Sequence, residues 1–144
     1  MSSRARPPTR RGAILVVDDE AGIVDVLSAV LTDAGYRVEG AANGQDALAK
    51  IAESDPALLV LDLEMPVLDG ADTLRELRAD RAHQRLPVLM MSGLTESIVK
   101  RRCRGYQAFL RKPFTLDELL GTVARLLKSS RPRTAGKVRG SRRS

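Results

Sequence analysis

The 144 residues, 43% hydrophobic with no Trp and only 3% aromatic, suffice for one ordinary domain around one aliphatic core. No apolar run approaches the roughly 20 residues of a membrane span, and no apolar stretch follows the basic N-terminus as in a signal peptide, so a cytoplasmic protein with no membrane contact is expected. The net charge of +6 sits at the ends: residues 1–11 hold four Arg and 128–144 hold seven Lys or Arg, neither with an acid, while the remainder has 13 basic and 18 acidic residues, a balance of −5.

In chain order, residues 1–11 lack the apolar residues to pack and predict a disordered basic tail. Ile14 to Val17 is a short apolar run that reads as a strand. Ile23, Val26, Leu27, Val30 and Leu31 then recur as one face of a helix that stops at Gly35. Tyr36 to Glu39 reads as a second strand, and Asn43-Gly44 opens a second helix with Ala47, Leu48 and Ile51 on its apolar face. The run LLVLD, Leu58 to Asp62, predicts a strand buried on both faces that ends in a carboxylate. Gly70 to Asp80 supplies a third helix through Leu74 and Leu77, and Pro87 to Met91 a fourth buried strand. A helix within Thr95 to Arg104 precedes a short fifth strand, Ala108 to Leu110. The last helix starts behind Thr115 as N-cap and buries Leu116, Leu119, Leu120, Val123, Leu126 and Leu127. Residues 129–144 predict a second disordered basic tail, without interleaved aromatics to stack on bases, so no specific nucleic-acid binding is expected. The single Cys103 and the single His83 argue against a disulfide or a structural zinc site, and His83 reads as a surface residue near a helix end.

Five strands alternating with five helices require crossover connections and therefore imply a parallel sheet covered on both faces. Ligands of such sheets sit outside the carboxyl ends of the strands. Asp18 and Asp19 follow the first strand, Asp62 ends the third, Ser92 follows the fourth and Lys112 the fifth, so four strand ends bring five polar groups to one edge. Carboxylates about 5 Å apart repel by roughly 3 kcal/mol per pair at an effective dielectric near 20, or about 10 kcal/mol for three pairs. That is comparable with the net stability of a whole domain, so protons or a cation must offset it. Mg²⁺ suits a site of few carboxylates and retained waters, and Lys112 both reduces the repulsion and offers itself to an anion shared with the metal. Neither a P-loop nor a dinucleotide-binding glycine motif occurs.

The segments ILVVDDE, LLVLDLEMPVLDG, MMSG and FLRKPF resemble, in order and over residues 12–128, the receiver domain of two-component response regulators, in the stand-alone form typified by chemotaxis regulators. The resemblance implies a flavodoxin-like, doubly wound α/β fold with a five-stranded parallel sheet of order 2-1-3-4-5 and five helices. It implies Asp62 as phosphoacceptor from the phosphohistidine of a sensor histidine kinase or phosphotransfer protein. Asp18, Asp19, Asp62 and the main-chain carbonyl of Glu64 would hold Mg²⁺. Lys112 and Ser92 would meet the phosphoryl oxygens, with Ser92 and Phe109 as the switch, and the Lys112–Pro113 bond would be cis, which proline makes admissible. Such a protein is not a turnover enzyme. A monomer or weak dimer that signals by altered partner binding follows, since nothing after residue 128 is long or apolar enough for an effector domain.

The sequence also departs from the family pattern. Tyr106 and Gln107 stand where small and acidic residues are common, Gly93 where Ala is typical, and Glu64 lies two residues past the acceptor. The interval from Ser92 to Gly105 is about two residues short and carries Lys100, Arg101, Arg102 and Arg104. These features leave a second reading, a phosphorylation-independent adaptor that keeps the fold and binds a fixed partner.

Overall fold

Apolar runs without polar interruption become strands buried on both faces. Ile14–Val17 (β1), Leu58–Asp62 (β3) and Val88–Ser92 (β4) are buried at every position in the computed structural model of the chain, which describes residues 12–129. Val38–Ala41 (β2) and Ala108–Arg111 (β5) flank them in one sheet of order β2-β1-β3-β4-β5. Every pairing is parallel, with Ile14 opposite both Val38 and Leu58, Asp62 opposite Met91, and Ser92 opposite Arg111. The crossovers are Ala21–Asp33 (α1), Gly44–Ser54 (α2), Gly70–Ala79 (α3) and Glu96–Arg102 (α4), and Leu116–Ser129 (α5) follows β5.

Because strand side chains alternate, the sheet divides its apolar residues between two layers. Leu15, Val17, Leu59, Leu61, Val88 and Met90 pack with Ala47 and Ile51 of α2, Leu74 and Leu77 of α3 and Val99 of α4. Ile14, Val16, Leu58, Val60, Leu89 and Met91 pack with Leu27 and Leu31 of α1 and Leu119, Val123 and Leu126 of α5. Helix starts use the side chains their sequence offers. Asn43 accepts from the Asp46 N–H at 2.8 Å and Asp69 from the Asp72 N–H at 2.8 Å, while Thr115 and Glu118 form a reciprocal capping box at 3.0 and 2.8 Å.

Several expectations shift. The second strand runs over Val38–Ala41 rather than 36–39, because Gly35 at φ 102° ends α1 in a Schellman motif that takes the Tyr36 N–H to the Leu31 carbonyl at 3.1 Å. Val26 is 54% exposed, since the buried stripe of α1 follows Leu27 and Leu31 with Ile23 and Val24 beside it. Leu116 is 45% exposed at the first position of α5. The His83 side chain is only 16% exposed and lies 3.3 Å from an Asp80 carboxylate oxygen. Residues 1–11 and 130–144, on which the two basic tails were expected, lie outside the described residues, and Ser129 belongs to α5 rather than to a tail.

Candidate functional site

The carboxyl ends of β1, β3 and β5 converge on one pocket. Asp18 follows β1 and is buried, its N–H tied to the Ala41 carbonyl of β2 at 3.2 Å and its Oδ1 accepting from the Glu20 N–H at 3.0 Å. Asp19, its neighbour, is exposed. Asp62 closes β3 with 2% exposure, and Gly70 packs directly behind it: a Cβ there would lie 2.5 Å from the Asp62 carbonyl oxygen, so only glycine lets α3 begin this close to the strand end. Carboxylate oxygens of Asp18, Asp19 and Asp62 all fall within 4.8 Å of one another, the crowding that the sequence implied.

Lys112 answers that crowding. It follows β5, whose register is continued by the Lys112 N–H to the Ser92 carbonyl at 2.8 Å, and its Nζ donates to Asp62 Oδ1 at 3.0 Å and Asp18 Oδ2 at 3.1 Å. Burial pushes the Asp62 carboxyl up to about 6; the hydrogen bond and charge of Lys112 oppose this, and the charges of Asp18 and Glu64 add to it. For Lys112, burial works against the ammonium, but the hydrogen bonds and charges of Asp62 and then Asp18 outweigh it and hold its pKa above the usual value. The peptide bond between Lys112 and Pro113 is cis.

Three carboxylates against one ammonium leave the donor set two negative charges in excess, all on hard oxygen atoms. Among the described residues no donor reaches Asp62 Oδ2, although the carboxylate is buried. An oxygen-ligated divalent cation fits that excess of charge.

Ser92 and Phe109 complete the set. The Ser92 hydroxyl is fully buried and donates to Glu64 Oε2 at 2.5 Å, while it accepts from the Leu94 N–H at 3.0 Å. Phe109 is partly buried, opposite Met90 in register, with its ring 6.5 Å from that of Tyr106. The Glu64 side chain on Ser92 was not anticipated, because Glu64 lies past the end of β3 and no strand periodicity says where its side chain goes. Arg78 was also missed. At the opposite edge of the sheet its guanidinium donates to the carbonyls of His83, Leu86 and Gly105 and to the Gln107 side chain, at 2.6 to 3.1 Å.

A doubly wound sheet with this acidic pocket at its carboxyl edge defines a two-component signalling domain. The chain belongs to the response regulator receiver domain family, whose model matches residues 14–124. Response regulator Rre1 of Synechocystis sp. is 39% identical over 118 residues, covering 80% of this chain and 51% of that protein; response regulator MprA of Mycobacterium bovis is 40% identical over 126 residues, covering 85% and 53%. The chain thus spans about half the length of these curated relatives. Among solved structures, the chemotaxis response regulator CheY4 of Vibrio cholerae matches with TM-score 0.75 at 34% identity, covering 80% of this chain and 98% of that one. The receiver domain of NtrX from Brucella abortus matches with TM-score 0.72 at 38% identity, covering 81% and 98%. Receiver domains are signalling modules rather than turnover enzymes, and a phosphorylated Asp and Mg²⁺ binding are typical of them.

Proposed function

We propose that the chain is a phosphorylation-dependent switch that accepts a phosphoryl group on Asp62 from a histidine kinase or phosphotransfer protein. The observation that carries this reading is the buried Asp62 carboxylate, held at Oδ1 by Lys112 and left without a protein donor at Oδ2 among the described residues. That oxygen is the nucleophile: its bond to phosphorus forms as the phosphorus–nitrogen bond of the phosphohistidine breaks, the electron pair returning to the imidazole. Asp18, Asp19 and Asp62, with the main-chain carbonyl of Glu64, would hold Mg²⁺, which when bound supplies positive charge against the phosphoryl oxygens. Lys112 faces those oxygens from the other side and offsets the charge that builds up there. Ser92 then donates its hydroxyl to a phosphoryl oxygen, drawing in the loop that leads to α4, and Phe109 repositions on β5.

Stand-alone action forms part of this reading and is supported by the 98% coverage of CheY4, whereas the curated relatives are about twice as long; a cytoplasmic monomer or weak dimer belongs to the same reading. The phosphorylation-independent adaptor is favoured by one observation, that α4 has only seven residues and three of the last are Lys100, Arg101 and Arg102. Intact-mass spectrometry after incubation with Mg²⁺ and a small acyl phosphate separates the two. The switch reading expects one added phosphate that is absent from Asp62→Asn, and it fails if the wild-type chain stays unmodified or the variant is labelled equally.

A further inference from the structure

Ser92 has one proton to donate, and Glu64 already holds it. The buried hydroxyl donates to Glu64 Oε2 at 2.5 Å, and the Gly93 N–H points at Glu64 Oε1 at 3.4 Å, so one carboxylate engages both donors at the start of the loop after β4. Its geometry is that of an anion bound by a hydroxyl and an adjacent amide. Glu64 itself is exposed, so its side chain has room to swing into water.

We infer that Glu64 is an internal competitor for the phosphoryl group, a positioning residue that holds the Ser92 hydroxyl and the Gly93 amide until an anion on Asp62 displaces it. The inference rests on Asp62 being the acceptor. A phosphoryl group and the Glu64 carboxylate cannot both take the single Ser92 proton, and their like charges oppose sharing it. Leu94, whose N–H donates to Ser92 Oγ at 3.0 Å, links the outcome of that competition to the loop leading to α4. Glu64 therefore sets how tightly a phosphoryl group is held and how far the loop moves when it arrives.

The test uses the full chain with Mg²⁺ and beryllofluoride, a phosphoryl mimic that binds carboxylates, followed by two-dimensional amide NMR. In Glu64→Ala without any ligand, the Gly93 and Leu94 amide signals should move from their wild-type positions while the rest of the spectrum stays folded. Beryllofluoride should then bind about tenfold tighter than to wild type, as expected for removal of a competing charge-assisted hydrogen bond. Simple loss of negative charge would also tighten binding, and Ser92→Ala separates the two causes: the gain from Glu64→Ala should largely disappear in that background. Unchanged Gly93 and Leu94 signals, no gain in affinity, or an equal gain with and without Ser92 would each overturn the inference while leaving the acceptor reading intact. Absence of beryllofluoride binding to all four folded chains would remove the acceptor reading and this inference with it.

Discussion

Asp62 is a carboxylate placed where its charged form is disfavoured, and the pH dependence of stability follows from that. Its pKa rises from 3.8 to about 6 on folding, through burial first and then the neighbouring acids. The folded state therefore keeps a proton that the unfolded chain releases, so this group favours folding fully below about pH 4 and loses that contribution as pH climbs through 6. The full shift corresponds to about 3 kcal/mol. Asp62→Asn removes the penalty but also one partner of Lys112, so a net gain of roughly 1–2 kcal/mol is expected at pH 7 without Mg²⁺, vanishing by about pH 4. Urea denaturation of both chains across that range checks it; a gain that persists at low pH would contradict the assignment. Val67 poses a second residue-scale problem. It is β-branched, 89% exposed and held at φ 69°, in the loop between β3 and α3. Val67→Gly should raise stability by roughly 1 kcal/mol, since relief of the left-handed backbone outweighs the added freedom of the unfolded chain.

At the scale of elements, Arg78 shows how a short connection is held. The interval from Ser92 to Gly105 is brief, α4 has seven residues, and the chain returns to β5 through Gly105 at φ 96°. Arg78, near the end of α3, gathers the carbonyls of His83, Leu86 and Gly105 and the Gln107 side chain, whose Oε1 in turn accepts from the Val88 N–H at 2.8 Å. One planar cation thus ties α3 to the amino ends of β4 and β5. Arg78→Ala should cost about 2–4 kcal/mol, because several carbonyls lose their donor at once. Arg78→Lys should recover little of it, since an ammonium cannot span that fork. Thermal unfolding of the two variants tests both statements. The helix starts were legible beforehand: Asn43 and Thr115 stand where capping chemistry needs them, and both cap. The boundaries of β2 were not, because Tyr36 resembles a strand residue until the Schellman turn at Gly35 takes its N–H, and Gly40 weakens any strand pattern further on.

At the scale of the whole molecule, the pocket is a liability of the fold that a cation would relieve. Three carboxylates lie within 4.8 Å and Lys112 offsets one of them, so Mg²⁺ should stabilise the folded chain by about 1.4 kcal/mol at ten times its dissociation constant. The effect should shrink at pH 5, where Asp62 takes up a proton, and Asp19→Asn should weaken it at every pH. Calorimetric melting with and without Mg²⁺ at the two pH values reads this directly. By itself the sequence determined the alternation of five strands and five helices, the parallel sheet, and the set Asp18, Asp19, Asp62, Ser92 and Lys112 at one edge. Uninterrupted apolar runs and the residues that end them are local signals, and parallel topology sends every strand end the same way. Only the tertiary structure decided that Lys112 bridges Asp18 and Asp62, that Glu64 holds Ser92, and that Arg78 locks the far edge. Those contacts join residues 5 to 94 positions apart, and no local pattern encodes which donor meets which acceptor once the layers close.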